Sequence, residues 1–95
     1  MYAVIFKATI ARLDDEYSDM AERLRDLAIN KYGCTDFTSV TEGDQEIAIS
    51  YWDTEEQIRE WKKDPQHRLA QAKGRNKWYR SVSVEICEVK RKSQS

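Results

Sequence analysis

His67 is the one histidine of the chain, and an imidazole is the side chain whose ordinary pKa lies closest to neutrality. It follows Asp64 and Pro65, a helix cap and a first helical position. A helix N-terminus favours the neutral form of the ring. Beside an aromatic pocket, a neutral imidazole can accept a phenolic proton or position dioxygen; it can equally be a surface residue or a haem ligand. Aromatic residues gather around it in the sequence: Tyr51, Trp52, Trp61, Trp78 and Tyr79. Three tryptophans bracketing one short segment can wall a pocket for a flat, apolar ligand. The plainer alternative is that Trp61 and a neighbour fill core between helix and sheet.

Other chemistries lack their residues. No serine or cysteine motif marks a nucleophile, and no glycine-rich loop is present to cradle phosphate. Cys34 and Cys87 have no CxxC spacing, and one histidine cannot build a multi-histidine metal centre within a chain, so no metal is expected. Sixteen basic against seventeen acidic residues give a net charge of -1, which argues against a nucleic-acid or anionic-membrane binder. The run 46–52, EIAISYW, also lacks the aromatic and glycine pattern of an RNA-binding sheet. No stretch is apolar enough to span a membrane, and the start has no signal-peptide pattern, so the cytoplasm is the default. Charge is nonetheless unevenly placed. Residues 11–60 carry 14 acidic and 5 basic side chains, whereas 62–80 carry Lys62, Lys63, Arg68, Lys73, Arg75, Lys77 and Arg80 against Asp64 alone. That basic segment is either a solvated face or the rim of a site for an anionic or phenolate-like ligand.

The elements that must position these residues are legible from periodicity. Residues 2–10 alternate as a strand, with Tyr2, Val4, Phe6, Ala8 and Ile10 on one face. Asp14 and Asp15 offer a cap to a helix whose stripe is Tyr17, Met20, Ala21, Leu24, Leu27 and Ala28, ended by Gly33. Runs 35–41 and 46–52 flank the turn Glu42-Gly43-Asp44 and read as a hairpin. In the second run Ile47, Ile49 and Tyr51 share one face, and Ala48, Ser50 and Trp52 the other. Thr54 and Gln57 form a capping box for a second helix anchored by Ile58 and Trp61. A short helix from Pro65 runs to about Lys73, with Gly74 as its end, and 78–89 is a long strand with Val82, Val84 and Ile86 on one side.

The order β-α-β-β-α-β is the split, ferredoxin-like α+β arrangement, with helices on one face of an antiparallel sheet. Residues 1–90 make one such domain, with 91–95 a polar tail. The second and fourth strands form opposite edges, which keeps Cys34 and Cys87 apart within a chain. Two helices cover one sheet face only. The bare face predicts a face-to-face homodimer, as does the small core of so short a chain.

From Ser50-Tyr51-Trp52 through Ile58, Trp61-Lys62, His67, Ala70-Gln71 and Gly74-Arg75 to Trp78-Tyr79, the chain resembles the antibiotic biosynthesis monooxygenase family of dimeric α+β barrels. The resemblance implies a homodimer with a pocket between sheet and helices in each protomer. It implies oxidation of an aromatic phenol or quinol by dioxygen with no flavin, haem or metal. His67 is then the candidate catalytic residue, Trp52, Trp61 and Trp78 the pocket walls, and Gln71 and Arg75 the groups that orient substrate oxygens. A haem-degrading branch of the superfamily carries an Ala-His pair where this chain has Ala70-Gln71, which counts against haem degradation. A dimeric ligand-binding module without turnover is the remaining alternative.

Overall fold

The computed structural model describes residues 1–94. Four strands, β1 (Tyr2–Ile10), β2 (Asp36–Glu42), β3 (Gln45–Trp52) and β4 (Tyr79–Glu88), form one antiparallel sheet in the order β2-β3-β1-β4. Helices α1 (Asp15–Asn30), α2 (Glu55–Lys63) and α3 (Pro65–Lys73) lie on one side, and a π-helical turn, Gly74–Trp78, joins α3 to β4. The expected ferredoxin-like arrangement is therefore present.

Register decides which side chains meet the helices. Val4 lies opposite Ser50 on β3 and Ile86 on β4, and Phe6 opposite Ala48 and Val84. Directly opposed residues share a face. The helix side therefore carries Tyr2, Val4, Phe6 and Ala8 from β1, Glu46, Ala48, Ser50 and Trp52 from β3, and Val82, Val84 and Ile86 from β4. The core sits there, built on Val4, Ala28, Cys34, Trp52, Ile58 and Trp61, with Tyr2, Leu24, Tyr32 and Phe37 packed against it. Trp52 and Ile58 are fully enclosed. Burying a side chain such as Ile58 contributes about 1.5–3 kcal/mol.

Caps form where the sequence puts them. The Asp14 carboxylate accepts the Tyr17 amide at 2.8 Å, and the Thr54–Gln57 capping box is reciprocal. Asp64 accepts the Gln66 amide at 2.8 Å with Pro65 at the first turn of α3. α3 ends at Lys73 with Gly74 as its C-cap, as expected; Gly74 does so without a left-handed conformation, its φ being -58°, and the backbone runs on into the π-helical turn. A β-carbon on Gly74 would lie 3.0 Å from Cδ2 of Tyr79, so glycine there makes room for a ring rather than for a backbone reversal. Trp78 consequently belongs to that turn and not to β4.

β2 and β4 are the sheet edges, and both cysteines are free, Cys34 buried and Cys87 exposed. α1 and α2 pack over β2 and β3. On the helix side of β4, Val82, Val84 and Ile86 each remain 43% exposed. Among the described residues no helix is long and apolar enough to cross a membrane.

Candidate functional site

Polar chemistry on the helix side collects at the two ends of the sheet. At the Trp52 end, α2 lays Trp61 on Trp52, with ring centroids 5.1 Å apart, and Phe37 meets Trp61 edge-on. The short link between α2 and α3 then brings His67 against the indole of Trp61, centroid to centroid 4.3 Å. His67 is 9% exposed, and its Nδ1 has no hydrogen-bond partner; Nε1 of Trp61 and Oε1 of Gln66 are likewise buried without one. Burial pushes the imidazole down to about 4, helped by the Lys62 charge and opposed by Asp64. The ring is therefore neutral at physiological pH. Asp64, itself buried, accepts the Tyr32 hydroxyl at 2.7 Å, which with the Gln66 amide holds its carboxyl below the usual range.

The opposite end is organised by Glu46. Its carboxylate is 4% exposed and accepts hydrogen bonds from two phenols, Tyr17 of α1 and Tyr79 at the start of β4, the latter at 3.1 Å. Burial and these contacts raise both phenols well above the ordinary tyrosine range. Tyr17 stands edge-on to Trp78 and Tyr79, and Tyr79 edge-on to Phe6. Trp78 is 2% exposed and donates its indole N–H to Asp14 at 3.1 Å. Lys73 and Lys77 pair with Glu16, and Lys77 also with Asp14 at 3.3 Å, which ties the α3 end and the π-helical turn to the start of α1.

The residues named from sequence are thus divided. His67, Trp61 and Trp52 meet at one end, while Trp78 lies at the other with Arg75 nearby in the same turn. Glu46 and Trp52 mark the two ends on β3, about 20 Å apart at about 3.3 Å per residue. Gln71 is exposed on α3 between them, and Arg75 is exposed on the wall of a depression of about 210 Å³ lined also by Tyr79, Arg80, Ser81 and Val82. Trp52 and Trp61 fill the space beneath α2 with their own rings, so the secluded hollow expected there is core. What stays open on this side is the strip Val82, Val84 and Ile86 beside half-buried Phe6, running from one polar end towards the other.

Two of these groups escaped the sequence reading. Glu46 looked like the polar start of a strand, yet it is in phase with Ala48, Ser50 and Trp52, and a carboxylate in an inward phase is the signal that finds it. Tyr17 read as one more member of an apolar stripe; its hydroxyl becomes visible only once Glu46 is known to face it.

No family model matches the chain. It is 38% identical over 91 residues to the uncharacterized protein YqjZ of Bacillus subtilis, covering 95% of this chain and 80% of that one. Among solved structures it superposes on SnoaB, a cofactor-independent oxygenase from Streptomyces nogalater, with TM-score 0.79 at 13% identity over 96% of this chain and 94% of that one. It also superposes on an antibiotic biosynthesis monooxygenase with TM-score 0.67 at 14% identity, covering 94% and 98% of the two chains. The chain therefore belongs to the family of Bacillus subtilis YqjZ, built on the fold of the antibiotic biosynthesis monooxygenases.

Proposed function

We propose that this chain is a cofactor-independent monooxygenase that oxidises an electron-rich phenol or hydroquinone with dioxygen, and that it acts as a homodimer. The observation that carries the reading is the open apolar strip Val82–Val84–Ile86 on the helix side of β4, which begins near the phenol–carboxylate group of Tyr79 and Glu46, while the buried neutral imidazole of His67 lies against Trp61 towards the other end of the sheet. A flat aromatic lying along the strip exchanges water for apolar contact, and its oxygen substituents meet polar groups at the ends. His67 takes the phenolic proton as an electron leaves for dioxygen. Losing that electron makes a phenol far more acidic, so a base with a pKa of about 4 suffices. Trp61, backed by Trp52, holds the imidazole in place, Trp78 closes the far end, and Gln71 and Arg75 orient substrate oxygens. For an anthrone, a ring methylene becomes a carbonyl, one oxygen atom stays on that carbon and the other leaves as water. The substrate supplies all the electrons.

Oxygen uptake with anthrone or a hydroquinone tests this directly. His67→Ala is expected to lower the rate by about 100-fold or more; unchanged turnover in a folded His67→Ala protein removes the assigned role. The packing of Trp52 and Trp61 into the core favours a second reading, a dimeric binding module without turnover. That reading predicts ligand quenching of tryptophan fluorescence with no oxygen consumed.

A further inference from the structure

Tyr79 meets two different surroundings. It lines the open depression of about 210 Å³ whose wall includes Val82. Its hydroxyl donates to the buried carboxylate of Glu46 at 3.1 Å, and the same carboxylate receives the Tyr17 hydroxyl. Gly74 allows this placement, since a β-carbon there would lie 3.0 Å from Cδ2 of the ring. The surrounding rings form a chain of edge contacts: Tyr79 to Phe6 at 5.6 Å and to Tyr17 at 6.2 Å, and Tyr17 to Trp78 at 5.3 Å.

Two phenols on one buried carboxylate are a costly way to fill a core. As acids they are inert near neutrality, because burial holds both well above the ordinary tyrosine range. Loss of an electron reverses this. An oxidised phenol is a strong acid, and it gives its proton to a base already hydrogen-bonded to it. Glu46 is placed to be that base. Among the described residues it forms no ion pair, so no cation holds it in the charged form. Asp64, which accepts the Tyr32 hydroxyl at 2.7 Å, is not its equivalent. Asp64 also accepts the Gln66 amide and has the Lys31 ammonium 4.0 Å away, and these contacts keep it charged.

We infer that Tyr79 is a redox-active residue that quenches organic peroxyl radicals, with Glu46 as its proton acceptor. The radical reaches the Tyr79 ring from the depression, where Val82 offers an apolar contact, and takes one electron from it. The hydroxyl proton crosses to Glu46, which becomes a carboxylic acid, and Tyr79 becomes a neutral phenoxyl radical. The peroxyl radical becomes a peroxide anion and takes a proton from water to give the hydroperoxide. Tyr17 is a positioning residue that holds the carboxylate in line. None of this depends on the phenol oxidation proposed above.

The test exposes the full chain to peroxyl radicals from azobis(cyanovaleric acid) decomposing in aerated buffer. Peptide mass spectrometry reads oxidation at each tyrosine, and freeze-quench electron paramagnetic resonance reads the phenoxyl radical. Tyr79 is expected to be oxidised about tenfold or more faster than Tyr32 and Tyr51. Glu46→Gln keeps the size of the side chain but removes the base, and should slow oxidation of Tyr79 about tenfold or more while leaving Tyr51 unchanged. Tyr79→Phe should remove most of the phenoxyl signal. Equal oxidation of the three tyrosines in the wild type overturns the inference. So does an unchanged Tyr79 rate in Glu46→Gln with native circular dichroism, the result expected of a carboxylate that serves packing alone. Should Glu46→Gln not fold, the wild-type map and Tyr79→Phe decide, and an undiminished phenoxyl signal in Tyr79→Phe overturns the inference. Oxygen uptake with phenols, or its absence, bears only on the reaction proposed above.

Discussion

His67 shows how one buried ring can matter for both folding and chemistry. Its Nδ1 has no partner, its ring meets Trp61 in an edge arrangement near the Lys62 and Asp64 charges, and enclosure keeps it neutral. The neutral imidazole carries a linkage consequence. The folded chain holds the imidazole at about 4, against an ordinary value of 6.5. As pH falls below 6.5 the unfolded chain gains a proton that the folded chain refuses. The contribution of this group is therefore fully present above about pH 6.5, declines towards pH 4 and then levels off. The loss amounts to about 3 kcal/mol. Urea unfolding of the wild type and of His67→Phe at pH 7 and near pH 4 measures it. The wild type should lose about 3 kcal/mol more than the variant over that interval. Parallel curves would mean that the imidazole is not shut away from water. The Asp64 carboxyl, held low by Tyr32, weakens both proteins alike at still lower pH.

At the scale of elements, the joint between α1 and α2 is tighter than either helix end alone. Gly33 adopts φ +86°, and a β-carbon there would come within 2.5 Å of Nε2 of Gln57. Gln57 is the same side chain whose Oε1 accepts the Asp53 and Thr54 amides to close the α2 capping box. Gly33→Ala should thus cost about 1–2 kcal/mol for the left-handed backbone and also push Gln57 out of the box. Thr54→Ala should cost about 1 kcal/mol. Because both changes undo one box, the double variant should be less destabilised than the sum; thermal or urea melts give the difference, and strict additivity would show that Gly33 acts on its own loop alone. The strands, the caps at Asp14, Thr54 and Asp64, and the faces of β1 and β3 were all legible as period, cap chemistry and alternation. Gly74 was legible as the end of α3, but the π-helical turn that follows it was not, because the ring of Tyr79 that takes the space of its side chain comes from the next strand. His67 and Trp61 could be named as neighbours, since the Asp64-Pro65 joint is local. Whether indoles line a hollow or fill it depends on the distance between α2 and β3, which no local pattern encodes.

For the molecule as a whole, surface is the telling quantity. A folded monomer of 11.2 kDa is expected to expose about 5,700 Å². This chain exposes 6518 Å². The tail after β4 accounts for part of the excess, although Lys92 reaches back to lie 4.9 Å over the Tyr51 ring. The whole excess, tail included, is about the surface that one partner contributes to a standard interface, about 800 Å². Part of the exposed apolar surface lies on the face of the sheet away from the helices, where Val40, Ile47, Ile49 and Tyr51 stand with Ile5 across β1, and Val40 is 60% exposed. Towards β4 that face turns polar, with Ser81, Ser83 and Glu85. An apolar patch set to one side of a polar one favours a two-fold partner over an open stack, because the same patch serves both copies and closes the assembly. Ile49→Lys puts a charge in the middle of this patch without touching the helix side. Analytical ultracentrifugation is expected to find the wild type at twice its 11.2 kDa mass and Ile49→Lys at the monomer mass with its circular dichroism intact. A wild type that sediments as a single chain at micromolar concentration would place the excess surface on the ligand side instead, at β4, and leave the open strip as the one apolar face in need of a companion.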